Sequence, residues 1–106
     1  MFGVFNQLFG EGAAAPELKS KLEEGALLLD VRTPGEFRRG AAEGAENIPL
    51  QELQRHLSQL KQAGKPVIAY CRSGNRSGMA AKLLNDNGIE AYNAGSLDQA
   101  RRLLAS

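Results

Sequence analysis

Apolar residues dominate two short runs, at positions 26–31, where Asp30 is the one polar residue, and at 67–70, and elsewhere recur at helical spacing. A predominantly apolar run of this length is typical of a strand buried on both faces of a parallel sheet. A third strand is predicted at 89–92 and a brief extended segment at 47–48. Because strands and helices alternate along the chain, we predict an α/β fold in three layers, with a central parallel sheet and helices on both faces.

Helical patterns and capping signals predict five helices between and around these strands. They lie at residues 17–24, 34–39 and 51–62, from 77 to a stop at Gly88, and from a cap at Ser96 to 104. The fourth helix is predicted because Met79, Ala80, Leu83 and Leu84 recur at helical spacing. A short loop joins the second apolar run to the start of this helix, so strand, loop and helix form one unit.

Residues 1–9 hold three of the four phenylalanines. Their spacing predicts a short amphipathic helix, and no basic residue precedes it as in a secretory signal peptide. We therefore divide the chain into an N-terminal amphipathic segment and linker, 1–15, and one domain, 16–106. Whether this segment packs on the domain, mediates self-association or contacts a membrane surface stays open.

Composition narrows the classes of function. A length of 106 residues allows one core but no separate substrate domain, and a net charge of +1 gives no basic surface for nucleic acid. One cysteine and one histidine exclude an intrachain disulfide and a zinc site built from those residue types. His56 is interpreted as a solvated helix residue, not a general base. We expect a protein of a reducing compartment, the cytoplasm, without a transmembrane segment.

Cys71 stands where the second apolar run meets a polar loop. Ligands of open α/β sheets bind beyond the carboxyl ends of the strands, which is where this thiol is expected. Backbone N–H groups of residues 72–77 and the positive end of the next helix would stabilise a thiolate. A lone cysteine beside an apolar strand also fits a small buried hydrophobe. Arg72 and Arg76 favour the reactive alternative, because they suit an anion site better than a core.

Four ordered segments resemble one protein family. CRSGNRS at 71–77 resembles the active-site loop of rhodanese-like sulfurtransferases. LLDVRTPGEF at 28–37 is similar to the family signature LLDVRTPEEF, and GAENIPL at 44–50 to its GAINIPL segment. YNAGSL at 92–97 is similar to the v-x-n-x-GG stretch before the family's last helix. The resemblance implies a single-domain, three-layer rhodanese-like fold.

The resemblance also implies a reaction, thiosulfate sulfur transfer. Cys71 would be catalytic, taking the outer sulfur of thiosulfate, or of another persulfide donor, as a persulfide and passing it to cyanide or a thiol. The implied partners are thus small-molecule donors and acceptors, and no metal or organic cofactor is implied. The implied substrate-binding residues are Arg72, Ser73, Gly74, Asn75, Arg76 and Ser77. Asp30 and Arg32 would brace the loop, with Arg32 paired to Glu36 or Glu46.

Ala41 stands where the family usually has a structural histidine, so looser packing near the loop is expected. Two alternatives to sulfur transfer by an enzyme stay open. Cysteine phosphatases and arsenate reductases use a similar cradle, but their signature separates cysteine and arginine by one position more than Cys71 and Arg76. The other alternative is a non-enzymatic sulfur-carrying or regulatory module.

Overall fold

Four parallel strands form the centre of the computed structural model, which describes residues 14–106. In chain order they are β1 (Leu27–Asp30), β2 (Glu46–Asn47), β3 (Val67–Cys71) and β4 (Ala91–Ser96). Their spatial order is β2-β1-β3-β4, and every neighbouring pair is parallel. The predicted parallel sheet is confirmed. The amphipathic helix predicted at 1–9 lies outside the described residues.

Helices cover both faces of this sheet. They are α1 (Ala15–Glu23), α2 (Pro34–Arg38), α3 (Leu57–Ala63), α4 (Asn75–Asp86) and α5 (Leu97–Ala105), and a 3₁₀ helix, Leu50–His56, precedes α3. On one face, Leu53, Leu60 and Leu84 pack against Val67 and Ala69. On the other face, α1 and α5 pack on β1 and β3, through the residues Leu18, Leu28, Ile68, Tyr70, Ala100 and Leu103. The predicted three layers are therefore present.

Two predicted elements differ in extent from those observed. The stretch predicted as one helix at 51–62 begins as a 3₁₀ helix, in which residues three apart lie above one another, so that Leu50 and Leu53 face the core together. The last strand was predicted at 89–92 but runs over Ala91–Ser96. Asn, Gly and Ser have low strand propensity, and here pairing with β3 overrides it.

Met79 belongs to the apolar pattern that predicts α4, but it does not pack on the sheet, since the residue is 57% exposed. Ala80, Ala81 and Leu84 are fully buried and Leu83 packs at the edge of the core. The helix therefore faces the sheet through its alanines, which lets it approach the backbone of β3 closely. That close approach sets the position of its N-terminus beside Cys71.

Candidate active site

Cys71 is the last residue of β3, and its sulfur lies against the start of α4. The Sγ atom accepts hydrogen bonds from the backbone N–H of Gly74 at 3.0 Å and of Ser77 at 3.4 Å. Gly74 is the N-cap of α4 and has φ +99°, a left-handed conformation that favours glycine. The sulfur thus takes the place of a capping oxygen at the positive end of a twelve-residue helix.

The thiol is fully buried and easier to ionise than an ordinary cysteine. Burial raises the pKa of Cys71, but hydrogen bonds from the Ser77 hydroxyl and from the backbone of Ser77, Gly74 and Ser73 lower it by more. The net pKa lies below its ordinary value. Because the thiolate is the reactive form, this environment favours a nucleophile.

The Ser77 hydroxyl has three competing acceptors, of which the Gly95 carbonyl, at 3.5 Å, is the most distant. Its Oγ lies 3.3 Å from Cys71 Sγ but only 2.6 Å from Oδ1 of Asn93. A hydroxyl carries one proton, so it donates to one of these atoms at a time, and the shortest contact favours Asn93. The backbone N–H groups are therefore the permanent donors to sulfur, and the hydroxyl can turn to it when the thiol ionises.

Asn93 ties the cysteine loop, residues 71–77, to β4. Its Nδ2 donates to the Gly74 carbonyl at 3.0 Å, and its Oδ1 accepts from the backbone N–H of Gly95 at 2.9 Å. The ladder from Ala69 and Tyr70 to Asn93 and Gly95 skips one residue of β4, which is a β-bulge. Sequence analysis gave Asn93 no role, although it lies in the YNAGSL segment.

Gly95 fits this arrangement for a steric reason. It has φ +90°, and a Cβ there would collide with the Gln99 side chain, which caps α5 together with Ser96. A Cβ on Gly74 would lie 3.4 Å from the Gly95 Cα. The two glycines therefore allow the loop and the end of β4 to approach closely.

Arg76 does not extend freely toward a substrate. Its Nη1 and Nη2 donate to Glu36 Oε1 at 2.8 Å and Oε2 at 3.1 Å. Hydrogen bonds from Arg76, and then from the Thr33 backbone, lower the pKa of Glu36 to about 2. Thr33 and Glu36 also form the capping box of α2. Arg76 thus fastens the cysteine loop to α2.

Asp30 and Arg32 form a pair with each other. The Arg32 Nη2 donates to Asp30 Oδ2 at 2.6 Å and to the Gly40 carbonyl at 2.7 Å. Both residues are buried. The expected partners of Arg32, Glu36 and Glu46, are wrong, because Asp30 is nearer along the same strand end. The described hydrogen bonds of the Asp30 carboxylate all come from Arg32, so the pair supports the 30–40 segment rather than contacting the loop directly.

Ala41, where the family usually has histidine, lies beside a different anchor. The Tyr70 hydroxyl accepts a hydrogen bond from the Ala42 N–H at 3.0 Å. Tyr70 is fully buried, and burial, followed by the Asp30 carboxylate, raises its pKa to about 12. This tyrosine holds the 41–42 backbone against the sheet.

Of the loop residues predicted to bind substrate, Arg72, Ser73 and Asn75 are exposed at its outer surface. Arg72 has no ion-pair partner among residues 14–106. The backbones of Gly74 and Ser77 face the sulfur. The loop therefore separates into an inner ring of amides around Sγ and an outer rim with one cation.

His56 was predicted to be solvated, and this is wrong. It is partly buried, and its Nδ1 is shielded from solvent without a hydrogen-bond partner in the described part of the chain. It lines a cavity with Leu27 and Val67, the first residues of β1 and β3, at the end of the sheet opposite Cys71. His56 is too far along the strands to act as a base for the thiol.

Between residues 14 and 106, no three His, Cys, Asp or Glu side chains come together as metal ligands would. None of the helices in that range combines the length and apolar character needed to cross a bilayer.

Known proteins are similar to this chain in sequence and in fold. A family model described as "Rhodanese-like domain" matches residues 14–101. The chain is 46% identical over 69 residues to "Uncharacterized protein YqhL" of Bacillus subtilis (strain 168), covering 64% of this chain and 54% of that protein. It is 34% identical over 71 residues to "Thiosulfate sulfurtransferase PspE" of Escherichia coli (strain K12), covering 65% of this chain and 68% of that protein.

A solved structure, "rhodanese with anions from E. coli", superposes with a TM-score of 0.64 at 31% identity, covering 71% of this chain and 91% of that one. The chain spans about half the length of the first curated relatives it matches.

Proposed function

Because the chain belongs to the rhodanese-like domain family, we propose that it is a thiosulfate sulfurtransferase that carries sulfane sulfur on Cys71. The observation that carries this proposal is the position of Sγ at the N-terminus of α4, where the N–H groups of Gly74 and Ser77 point at it from 3.0 and 3.4 Å. These donors favour a thiolate and would equally favour the terminal sulfur of a persulfide.

The proposed reaction has two displacement steps. The Cys71 thiolate attacks the outer sulfur of thiosulfate, a sulfur–sulfur bond forms, the sulfur–sulfur bond of the donor breaks, and sulfite leaves with its electron pair. Cyanide or an acceptor thiolate then attacks the outer sulfur of the persulfide. Thiocyanate or a new persulfide leaves, and the Cys71 thiolate is regenerated without any added oxidant or reductant.

The two arginines of the loop would have different roles. Arg72 is exposed and would attract the dianionic donor, whereas Arg76 is engaged with Glu36 and would hold the loop in shape. Since Cys71 is 0% exposed, donor and acceptor would gain access by a local displacement of the outer loop residues. The arginines would thus divide attraction and positioning between them.

Phosphatase chemistry is less well supported. Phosphoryl transfer needs an arginine free to bind the equatorial oxygens, and here the Arg76 fork is satisfied by both Glu36 oxygens. A sulfur-carrying module without turnover would form the same persulfide but would not release a product.

A nucleophilic thiol that must stay reduced fits the cytoplasm, which we propose as the compartment.

The test measures the gain and the release of one sulfur atom at Cys71. Freshly reduced protein treated with thiosulfate alone should gain the mass of one sulfur at Cys71, and cyanide should remove it while thiocyanate appears. Cys71→Ser should do neither, since a serine hydroxyl is not ionised at neutral pH. A wild-type protein that gains no sulfur would refute the proposal. Sulfur gained but never released to cyanide or thiols would favour the carrier module.

A further inference from the structure

A cavity of about 460 Å³ beside the cysteine loop is lined by arginines from three different elements. Arg72 comes from the loop, Arg39 follows α2, and Arg101 lies on α5. Arg72 is the residue after Cys71, and the cavity wall also includes Ser96, the register partner of Cys71 in β4. The cavity therefore begins next to the reacting residue.

The charges lining this cavity do not balance. Arg32 and Glu36 also line it, but the first is paired with Asp30 and the second with Arg76. This leaves three arginines, Arg39, Arg72 and Arg101, against one carboxylate, Asp98. None of these four takes part in an ion pair within residues 14–106. The cavity is therefore positively charged and has guanidinium groups available.

Arg101 is exposed and lies beside the Gly40–Ala41 backbone at the edge of this cavity. Its Nη2 lies 3.5 Å from the Ala41 carbonyl, and a Cβ on Gly40 would be 3.4 Å from the same nitrogen. A guanidinium lying over Gly40 with most of its donors unused suits the planar oxygens of a carboxylate or phosphate. Arg39 and Arg101 lie outside the four segments that resemble the family, so the family motifs did not indicate them.

The spacing of the charges favours one of the two substrates. The arginines come from separate elements around an open depression, whereas thiosulfate carries both of its charges on the group next to its reacting sulfur. A substrate that uses Arg39 and Arg101 must carry negative charge at a distance from its sulfur. Among the two substrates of the proposed reaction, only an organic acceptor can do so.

We propose that Arg39, Arg72 and Arg101 form an anion subsite for the sulfur acceptor, a small organic thiol that carries two or more carboxylates or a phosphate. The inference rests on the proposed sulfur transfer from Cys71. The acceptor's acidic groups bind the arginines, and its thiolate attacks the outer sulfur of the persulfide. Specificity for the acceptor is thus set by two residues outside the cysteine loop.

The test compares three acceptors with the same donor, thiosulfate: mercaptosuccinate, 2-mercaptoethyl phosphate and neutral 2-mercaptoethanol. The readout is kcat/KM for each anionic thiol divided by that for the neutral thiol, which cancels effects on the first step. In the double variant Arg39→Gln/Arg101→Gln this ratio should fall about tenfold or more, because charge-assisted hydrogen bonds are lost.

Arg102→Gln is the matched control, since it removes one arginine charge from α5, the helix that carries Arg101, at a position outside this cavity. Its ratio should stay within about twofold of wild type.

A ratio unchanged in the double variant, with transfer to 2-mercaptoethanol intact, would overturn the subsite and leave the proposed function standing. A preference for only one of the two anionic thiols, lost in the double variant, would support the subsite and identify the acidic group. If the wild-type protein transfers sulfur to no acceptor, the proposed function fails, and the anion subsite is then tested by anion binding alone. Saturable NMR shifts of the Arg39 and Arg101 Nε–H signals on titration with succinate or inorganic phosphate would then support the anion subsite, and their absence would refute it.

Discussion

Cys71 and Asn93 share one hydrogen-bond donor, the Ser77 hydroxyl, which links ionisation of the thiol to the rest of the loop. The Oγ atom of Ser77 lies 2.6 Å from Asn93 Oδ1 and 3.3 Å from Cys71 Sγ. Turning this hydroxyl toward a thiolate needs only rotation about one bond. The loop can therefore respond to charge on sulfur without moving its backbone.

Ser77→Ala tests this role. Removing the hydroxyl should raise the pKa of Cys71, because its hydrogen bond to sulfur is the largest contribution that lowers it. At neutral pH the thiolate fraction should fall several-fold, as expected for the loss of a hydrogen bond worth about 1 kcal/mol. The measurement is thiolate ultraviolet absorbance against pH, which does not depend on reagent access.

Ser73→Ala serves as the control for this titration. The Ser73 hydroxyl contacts the Asn75 N–H, at 3.5 Å, and not the sulfur. The pKa of Cys71 in this variant should match wild type. If Ser77→Ala also titrates as wild type does, the backbone amides alone stabilise the thiolate.

At the level of elements, the Arg76–Glu36 ion pair connects α4 to α2. Its side chains are 33% and 23% exposed, and the pairing uses both oxygens of the carboxylate. Glu36 also completes the capping box of α2 with Thr33. One carboxylate therefore maintains a helix start and the position of the cysteine loop.

Stability should depend on pH through this pair. The pKa of Glu36 is lowered from 4.5 to about 2 in the folded protein, so its stabilising effect is fully present above pH 4.5 and is lost as pH falls toward 2. Glu36→Gln keeps a capping side chain but removes the charge. It should cost about 1 kcal/mol at neutral pH, discounted for partial exposure, and the difference from wild type should vanish near pH 2.

Urea unfolding of both proteins at several pH values measures this difference. Glu52→Gln is the control, because Glu52 belongs to an exposed pair with Arg55 at 3.5 Å. That substitution should change stability by no more than about 0.5 kcal/mol at any pH. A Glu36→Gln deficit that persists unchanged to pH 2 would show that the ion pair is not its cause.

The sequence predicted the elements that follow local rules and missed those that depend on distant partners. The apolar run 67–70 and the cap at Ser96 were readable, since burial of a central strand and capping of a helix leave local patterns. The pairing of Arg76 with Glu36 could not be predicted from the sequence, because forty positions separate the two residues. Asn93 was missed because a polar residue in a weak strand pattern gives no sign of where its amide will point. The bulge that aims it arises from pairing with β3.

For the whole molecule, residues 14–106 contain the layers that enclose both sheet faces. Leu18 of α1 and Leu103 of α5 belong to the same core cluster as Ile68 and Tyr70, so α1 closes one face of the sheet. The domain boundary that we expect, between residues 15 and 16, falls at the start of α1. If the segment 1–12 is a contact element and not part of the core, it adds to association or surface contact and not to folding.

Two deletions distinguish these roles. Removal of residues 1–12 should leave sulfur transfer and the unfolding midpoint close to wild type and should change only association or adsorption. Removal of 1–24 also deletes α1 and uncovers Leu28 and Ile68, so unfolding should occur at much lower temperature. Circular dichroism melts and sedimentation measure both effects. Loss of folding on removal of 1–12 alone would place that segment in the core.

The full burial of Cys71 affects how the protein withstands oxidants. A thiolate with a lowered pKa is ordinarily converted by peroxide to sulfenic and then to irreversible sulfinic acid, at a rate set by its exposure. Here the ring of amides that activates the sulfur also excludes bulk solvent from it. The thiol should therefore be oxidised slowly by peroxide despite its lowered pKa.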